Sequence, residues 1–287
     1  MNNVATYLPE NQDEVRNRLY QGEIYLLPAN EASLTLTDAV LVLIRESLGD
    51  DFQKSHEQYE SDDFFQRIGR LRKRIYTSEE FQHLTEVVIE SHDFPVEEQA
   101  YDPTRLRVIS HKGHQNPGAA PIYYGHRDTW YSNPQAMITW WIPLHDVFPE
   151  ETFQFFPWYF DQSVKNDSEI FDFDAWVAEG QEKRIGWQNK QTGRTAGYPQ
   201  LRQEVSGETI DVIARKGEVL LFSGQHLHQT RKNETGKTRF SLDFRTVHLH
   251  DHAAEREPLN VDNRSTGSSL VQFVRPGARG SGVKNVP

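Results

Sequence analysis

The sequence predicts a mainly β protein with flanking α-helices, whose core is an antiparallel sandwich or jelly roll. Helical patterns dominate residues 1–100, whereas short runs rich in aromatic and β-branched residues follow one another after Pro103. Because these runs do not alternate with helices, an antiparallel sheet is favoured over a parallel one. We therefore expect a single domain over residues 1–287, with the helices of 1–100 packed on a core at 101–250 and a C-terminal extension at 251–287.

Two helices have recognisable starts. One is predicted to begin near Thr37 and to stop at Gly49, with apolar residues at helical spacing on one face. Another begins at the capping-box sequence from Thr77 to Glu80, before an apolar face that starts at Phe81. Because each helix has one apolar face, we expect the helices to cover a sheet rather than to form a separate domain.

Strand candidates separated by turn signals make up the predicted core. Their ranges are 105–111, 122–128, 136–144, 209–213, 218–222 and 238–247. The long stretch 148–207 is expected to be an insertion that covers a pocket, with a helix at 173–178 and a segment rich in Gly, Gln and Arg at 188–201. The tail from Arg275 has little to pack and is expected to be disordered.

Composition excludes several classes of function. The chain has 31 Lys and Arg against 42 Asp and Glu, a net charge of −11, so we expect neither nucleic acid nor an anionic membrane as a partner. The sequence contains no cysteine, which excludes disulfides, thiolate metal sites, iron–sulfur clusters and cysteine nucleophiles. A metal site in this chain must therefore use nitrogen and oxygen ligands.

Targeting signals are not apparent in the sequence. Residues 1–10 lack the basic and apolar regions of a signal peptide, and the longest aliphatic run, Val40 to Ile44, is too short to span a bilayer. We therefore expect a cytoplasmic protein whose partner is a small molecule. The sequence does not indicate an oligomeric state.

A histidine and an aspartate two residues apart form the first part of a candidate metal site. His126 and Asp128 end a strand candidate, and residues i and i+2 of a strand point to the same face, so both side chains can contact one ion. This spacing alone is a weak signal, because a His-x-Asp sequence often arises by chance.

A second segment, residues 217–228, places histidines at the end of an aliphatic strand. Two histidines and one carboxylate leave one face of an octahedral iron(II) open, so His228 completes a ligand set with His126 and Asp128. His226 lies on the same predicted face as His228 and is the alternative ligand.

The strand that follows, residues 239–245, has polar side chains on one face and Phe or Leu on the other. With a turn near Asn233, His228 and Arg239 would be cross-strand neighbours, and Arg239 could bind a carboxylate bidentately. Arg245 is the alternative arginine, but six residues further on it would lie about 20 Å along the strand. It would then meet an anionic part of the substrate or an acidic partner within the fold.

Together these segments resemble the iron(II)- and 2-oxoglutarate-dependent dioxygenases, specifically the phytanoyl-CoA hydroxylase-like branch. The resemblance covers residues 100–250 and rests on motifs in the correct order. These motifs are His126-Arg127-Asp128, His228 with Asn233 five positions later, and Arg239-Phe240-Ser241 beginning eleven positions after His228. The resemblance implies a cupin-like core, the double-stranded β-helix form of the jelly roll.

The resemblance also implies a role for each matching residue. His126, Asp128 and His228 would hold Fe(II), which 2-oxoglutarate would chelate, with O2 as the second co-substrate. Arg239 would bind the distal carboxylate of 2-oxoglutarate. Further contacts to this co-substrate are implied for Ser241, Thr139 and Gln135.

The implied reaction couples oxidative decarboxylation of 2-oxoglutarate to hydroxylation of an unactivated C–H bond. Halogenases of the same superfamily have a small residue in place of the carboxylate, so Asp128 favours hydroxylation. The stretches 126–135, 140–144 and 151–153 are similar to natural-product tailoring hydroxylases such as that of cylindrospermopsin biosynthesis. We therefore expect a small polar substrate, such as a guanidinium alkaloid of the deoxycylindrospermopsin type.

Two other classes of protein fit the same ligands. A cupin-like isomerase or hydrolase could hold zinc, manganese or nickel with these residues, but it does not need Arg239. A non-catalytic jelly-roll binding module would not require an inward-facing set of two histidines, an aspartate and an arginine.

Overall fold

The structure, a computed structural model, describes residues 4–183 and 197–276. Within these ranges the strands are β1 (Val4–Ala5), β2 (Ile24–Leu27), β3 (Gln99–Tyr101), β4 (Arg105–Ile109), β5 (Met137–Pro143), β6 (Phe153–Phe155), β7 (Ile210–Asp211), β8 (Val219–Ser223), β9 (His228–Thr230) and β10 (Arg239–His248). The helices are α1 (Gln12–Tyr20), α2 (Glu31–Leu48), α3 (Ser55–Gln58), α4 (Ser61–Thr77), α5 (Glu79–Glu90), α6 (Phe173–Lys183) and α7 (Leu249–Ala253). Most of the segment predicted at 188–201, and most of the tail from Arg275, lie outside the described residues.

Two sheets form the core. The larger has the order β1-β2-β8-β5-β10-β3, with β4 also paired to β10, and the smaller has the order β7-β6-β9. Apolar side chains from both sheets pack together, including Trp141 and Phe222 from the large sheet and Phe153 and Phe155 from the small one. This is the jelly-roll core with flanking helices that the sequence predicts.

Helices cover the opposite face of the large sheet. Because side chains alternate along a strand, Trp140 and Phe244 point away from the small sheet, and their rings stack with centroids 5.3 Å apart. Ile44 of α2 and Val88 of α5 belong to the same buried cluster. The helices and the large sheet therefore contribute side chains to one buried cluster. None of the described helices has both the length and the apolar composition that a membrane span requires.

The helix α2 begins at Glu31, so the predicted start near Thr37 is wrong. Asn30 caps the helix, because its side chain accepts a hydrogen bond from the Ser33 N–H while the Ser33 hydroxyl accepts one from the Asn30 N–H. Thr37 lies inside the helix instead. The predicted end at Gly49 is confirmed, and Gly49 has a φ of 85°, which glycine adopts readily.

The capping box predicted at residues 77–80 does not form. The helix α5 does begin at Glu79, but the Ser78 side chain makes no capping hydrogen bond. Ser78 ends α4 and also precedes α5, so the two helices follow each other without an intervening loop.

The strand predicted at 122–128 is wrong. Pro117–Tyr123 is a 3-10 helix that contains Pro121, and proline has no N–H to donate to a strand partner. In this part of the chain His126 makes only an isolated bridge, to His228. The other predicted strands contain or overlap β4, β5, β7, β8 and β10.

The stretch predicted as an insertion, residues 148–207, also contributes to the core. It contains β6, which lies between β7 and β9 in the small sheet. With three residues, β6 is too short to show a periodic pattern in the sequence. The helix predicted at 173–178 lies within α6.

A buried ion pair joins α1 to α7. Asp251 is 2% exposed, and its Oδ2 accepts a 2.6 Å hydrogen bond from Arg16 Nε. His248 Nδ1 lies 3.2 Å from Asp251 Oδ1. Burial alone would raise the pKa of Asp251, but the contacts with His248 and Arg16 outweigh burial and bring this pKa to about 2.

We expect the Asp251 carboxylate to make the stability of the fold depend on pH under acidic conditions. The folded-state pKa of Asp251 lies below the ordinary value of about 3.9, so a contribution of about 2 kcal/mol is present above about pH 4 and is lost as the pH falls towards 2. Urea unfolding across this range should show a smaller pH dependence for Asp251→Asn than for the unaltered chain. Parallel pH profiles for the two chains would contradict this expectation.

Candidate metal centre

His126, Asp128 and His228 converge on one point, although His228 is far from the other two in sequence. Their ligand atoms all lie within 4.8 Å of one another. Asp128 Oδ1 is 3.6 Å from His126 Nε2 and 4.0 Å from His228 Nε2. The structure thus brings together the three residues that the sequence analysis selected, and it does so with His228 rather than His226.

A pair of main-chain hydrogen bonds fixes the two histidines relative to each other. The His126 N–H donates to the His228 carbonyl at 3.0 Å, and the His228 N–H donates to the His126 carbonyl at 3.0 Å. Arg127 is extended, with φ −106° and ψ 142°, so its neighbours His126 and Asp128 project to the same side. The predicted i, i+2 geometry therefore holds, although only one residue of extended chain supplies it.

Each imidazole is oriented by a carbonyl group. His126 Nδ1 lies 2.9 Å from the Tyr124 carbonyl, and His228 Nδ1 lies 3.0 Å from the His226 carbonyl. Because a carbonyl can only accept, each Nδ1 must carry the proton. In the neutral form of each ring, Nε2 then keeps a lone pair, which is the arrangement of metal-binding histidines.

Thr139 of β5 orients the carboxylate. Its hydroxyl donates to Asp128 Oδ2 at 2.8 Å, which leaves Oδ1 facing the two imidazoles. Thr139 is 3% exposed, so water cannot readily replace this hydrogen bond. The structure thus places Thr139 against a metal ligand, and its predicted contact with a co-substrate stays a prediction.

We expect Thr139→Val to weaken iron(II) binding by about tenfold, because loss of a group that orients a ligand typically costs 10- to 100-fold in metal affinity. Valine keeps the shape of the side chain and leaves Asp128 Oδ2 without a donor. Titration with iron(II) under anaerobic conditions measures the effect, and Thr139→Ser, which keeps the hydroxyl, serves as the control. Equal affinities for the valine variant and the unaltered chain would contradict the role of this hydroxyl.

Local charges favour the protonation states that metal binding needs. Burial alone would raise the pKa of Asp128, but the neighbouring His126 and the charge of Arg245 outweigh burial, so this pKa lies well below its ordinary range. Burial, together with the charge of His126, lowers the pKa of His228 to about 4. Near neutral pH, Asp128 is therefore ionised and His228 is neutral, as metal ligands are.

Arg239 and Ser241 leave buried polar atoms without partners on the inward face of β10. Arg239 is 3% exposed, yet within residues 4–183 and 197–276 its Nε and Nη1 atoms have no hydrogen-bond partner, and neither has the hydroxyl of Ser241, which is 0% exposed. Burial lowers the pKa of Arg239 to about 10, so the guanidinium is charged at neutral pH. Buried donors without an acceptor fit the carboxylate of a bound molecule, and the distal carboxylate of 2-oxoglutarate is one such group.

His228 and Arg239 are not cross-strand neighbours, so the predicted hairpin pairing is wrong. The strand β9 pairs with β6, whereas β10 pairs with β3, β4 and β5 in the other sheet. The connecting loop crosses from one sheet to the other. Asn233, which is 0% exposed, fixes this loop by donating to the carbonyls of Ile109 and Lys237.

Arg245 lies beside the ligand carboxylate. It is paired in register with Thr139, the residue that donates to Asp128. Its Nη1 donates to Asp102 at 2.8 Å, and its Nη2 lies 3.7 Å from a carboxylate oxygen of Asp243. The acidic partner within the fold that the sequence analysis considered for Arg245 is therefore Asp102.

Gln135 and His226 lie outside the ligand group. Gln135 Nε2 donates to Gln225 Oε1 at 2.5 Å, and a contact between Gln135 and a co-substrate stays a prediction. The His226 ring packs against Phe155 and Phe160, with centroids 5.3 and 4.7 Å away. Burial lowers the pKa of His226 to about 3, so it is a neutral core residue.

Arg127 lies between two of the ligands in the sequence, and its buried side chain forms hydrogen bonds with several distant segments. No local sequence pattern indicates this role. It is 0% exposed, and its Nε donates to the carboxylate of Asp262 at 3.0 and 3.2 Å. Its Nη atoms donate to the carbonyls of Gln225, Tyr159 and Gln162. Arg127 thus ties the ligand loop to the turn after β6 and to the C-terminal extension. Because all these partners are distant in sequence, the hydrogen bonds of Arg127 can be recognised only in the folded structure.

Aromatic and charged side chains surround the ligands. The Tyr131 ring makes edge contacts with His126, at a centroid distance of 5.4 Å, and with Phe171, at 5.5 Å. On β4, Arg107 donates to both carboxylate oxygens of Asp243 at 2.7 Å and remains 31% exposed. Such a mixture of apolar and charged groups suits a small molecule with both kinds of surface.

Comparisons with solved structures give matches at low sequence identity, of which three are described here. One is "non-heme monooxygenase; ThoJ apo", with 10% identity, a TM-score of 0.48, and coverage of 82% of this chain and 77% of that chain. Another is the "non-heme alpha ketoglutarate dependent carbocyclase SnoK from nogalamycin biosynthesis", with 13% identity, a TM-score of 0.44, and coverage of 90% and 97%. EvdO2 from Micromonospora carbonacea var. aurantiaca matches with 9% identity, a TM-score of 0.46, and coverage of 85% and 93%.

Sequence comparisons give no relative. No protein-family model matches this sequence, and no curated protein matches it. At identities of 9% to 13% the matched structures carry no residue roles over to this chain. The chemistry open to the chain therefore depends on its own side chains.

Proposed function

We propose that this chain is a non-haem iron(II)- and 2-oxoglutarate-dependent oxygenase of the phytanoyl-CoA hydroxylase-like branch. One observation carries the proposal: a set of two histidines and an aspartate accompanies an arginine whose Nε and Nη1 atoms are buried and have no partner in the part of the chain that the structure describes. A metal-dependent isomerase or hydrolase has no use for such an arginine, and a sugar-binding module has no use for the ligand set.

His126, Asp128 and His228 would hold the iron through Nε2, Oδ1 and Nε2, the atoms that face one another. When bound, iron and 2-oxoglutarate would activate O2, which is the oxidant, for attack on an unactivated C–H bond. The chain's own residues keep the ligands in the required protonation states and hold the co-substrate. Arg239 and Ser241 would hold its distal carboxylate. The guanidinium is a charged donor and the hydroxyl is a neutral one, and both have buried atoms that lack a partner among the described residues.

Asp128 supports hydroxylation rather than halogenation as the outcome. A halogenase needs an open coordination position where a carboxylate ligand would otherwise lie. Here the carboxylate is present, and the hydrogen bond from Thr139 to its Oδ2 fixes its orientation. Asp128 would therefore fill the coordination position on the iron that a halogenase leaves open.

The proposed substrate is a small polar natural product, with guanidinium alkaloids of the deoxycylindrospermopsin type as the first candidates. Tyr131 and Phe171 offer aromatic surface beside His126, and the partly exposed Arg107, paired with Asp243, offers polar contacts. A polar, compact molecule with apolar ring edges matches this combination better than a long acyl chain does.

The test is anaerobic addition of iron(II) and 2-oxoglutarate, followed by visible spectroscopy. A weak charge-transfer band of the chelate is expected for the unaltered chain, and the band should be absent in Asp128→Ala and weakened in Arg239→Ala. Thermal unfolding of each variant establishes that it is folded. A folded, metal-loaded chain without this band would overturn the proposal and favour an isomerase, a hydrolase or a binding module.

A further inference from the structure

A histidine side chain accepts a hydrogen bond from the main chain at the start of β10. The Phe240 N–H donates to His145 Nε2 at 3.1 Å, and Phe240 lies between Arg239 and Ser241 in the chain. Phe240 is 0% exposed, so water cannot readily take the place of this acceptor. The imidazole therefore fixes the main chain between the two residues that are proposed to hold the co-substrate.

The end of β5 explains why a side chain takes this place. Ser241 pairs in register with Pro143, the last residue of β5, and the Leu144 N–H donates to the Phe240 carbonyl at 3.1 Å. In an antiparallel pair the N–H and C=O of one residue point to the same neighbouring strand, so the Phe240 N–H faces this segment as well. Because β5 has ended, the His145 ring supplies the acceptor that a continued strand would have offered.

The hydrogen bonds of the two ring nitrogens require a neutral imidazole. A main-chain N–H can only donate, so His145 Nε2 must direct a lone pair towards Phe240. His145 Nδ1 lies 2.9 Å from the Asp146 carbonyl, which can only accept, so the ring proton is on Nδ1. A second proton would bind to Nε2, which faces a donor, and the hydrogen bond with Phe240 would be lost.

We propose that His145 is a positioning residue for the co-substrate site: its neutral ring holds the main chain of β10 where Arg239 and Ser241 can bind the distal carboxylate of 2-oxoglutarate. The inference rests on the proposed function, because it takes 2-oxoglutarate as the bound molecule. In this role His145 acts through Phe240 rather than through a contact of its own with the co-substrate. No local sequence pattern marks the residue, because Phe240 is 95 positions further along the chain.

Charged groups from several segments surround His145. Burial lowers its pKa, the positive charges of Arg239 and Lys237 lower it further, and the carbonyl and carboxylate of Asp146 act in the opposite direction. The ring lines an open cavity of about 450 Å³, which gives solvent protons access to it. Two further carboxyl groups line the same cavity, those of Glu150 and Glu151. The ring is therefore neutral near pH 7 and is protonated only below the ordinary histidine value of about 6.5.

The first experiment measures the dissociation constant of 2-oxoglutarate for the iron(II)-loaded chain at about pH 7, where His145 is neutral, from the charge-transfer band under anaerobic conditions. His145→Phe keeps a ring but has no acceptor, so the buried Phe240 N–H loses its partner. We expect about tenfold weaker binding, because a strand that shifts to satisfy this donor no longer presents both anchoring side chains correctly. His145→Gln offers an amide oxygen near the position of Nε2, so its affinity should stay within about twofold of that of the unaltered chain.

The second experiment follows amide hydrogen exchange at Phe240 in the unaltered, iron(II)-loaded chain, and it does not depend on the folding of any variant. Exchange is measured from about pH 7 to about pH 4.5 and is corrected for the pH dependence of exchange in an unfolded peptide. Protection of the Phe240 amide should fall by about tenfold as His145 is protonated. Protection of the Phe244 amide, which lies deeper in β10 and pairs with Trp140, should not change in this way.

Unchanged 2-oxoglutarate affinity in folded His145→Phe would overturn the inference. Equal losses of affinity in His145→Phe and His145→Gln would also overturn it, because the ring would then act through its packing and not as an acceptor. A third contrary result is protection of the Phe240 amide that does not change with pH. Absence of the charge-transfer band in the unaltered chain would instead remove the proposed function, whatever hydrogen exchange shows at Phe240.

Discussion

Replacing Arg239 by alanine is expected to weaken 2-oxoglutarate binding by about two to three orders of magnitude, since truncating one partner of a buried, charged hydrogen-bonded pair costs about 2–5 kcal/mol. Arg239→Lys should recover only part of the loss, because an ammonium group cannot reproduce the bidentate geometry of a guanidinium. Titration of the iron(II)-loaded chain with 2-oxoglutarate measures the effect.

The matched control for Arg239 is Arg231, whose guanidinium pairs with Asp211 and whose side chain is 36% exposed. Arg231→Ala should leave 2-oxoglutarate affinity unchanged. Iron(II) affinity should be similar in both alanine variants, because Arg239 is not one of the ligands. A loss of iron affinity as large as the loss of 2-oxoglutarate affinity would mean that Arg239 supports the metal site instead of the co-substrate.

Breaking the buried pair between Arg127 and Asp262 is expected to destabilise the fold by about 3–5 kcal/mol, because it leaves one charge buried without its partner. The side chains of this pair are 0% and 1% exposed, and Trp130 Nε1 also donates to Asp262 at 2.8 Å. Urea unfolding of Arg127→Met and Asp262→Asn measures the free energy of unfolding.

The double variant tests whether the two residues act as a pair. Coupling predicts that Arg127→Met with Asp262→Asn together costs less than the sum of the single changes. Glu169→Gln, which breaks the exposed pair with Arg264, is the control and should cost far less than either change in the buried pair, because exposed ion pairs contribute little to stability. Strictly additive losses for Arg127 and Asp262 would show that each residue acts through other contacts.

The ligand set could be predicted from the sequence because its signals are local. His126 and Asp128 flank a single residue, and His228 ends an aliphatic strand that is plain in the sequence. The strands β5, β8 and β10 are likewise long or apolar enough to show a pattern. The alternation of polar and apolar residues along β10 then placed Arg239 on the polar, inward face of this strand.

The remaining features depend on contacts between distant segments. The pairing expected for His228 and Arg239 assumed a hairpin, whereas the loop held by Asn233 carries the chain to the other sheet. The central strand of the small sheet, β6, is too short to be recognised. The role of Arg127 is defined only by groups that folding brings beside it.

Different sheets hold the metal ligands in place, which limits how the two sheets can move apart. His228 lies in the small sheet, while Asp128 is held by Thr139 of the large sheet. An ion shared by these side chains would cross-link the sheets, so opening of one from the other would require the ion to be released. Amide hydrogen exchange in β9 and β5 would then slow together as the ion concentration rises, with a gain of about 2.7 kcal/mol at one hundred times the dissociation constant.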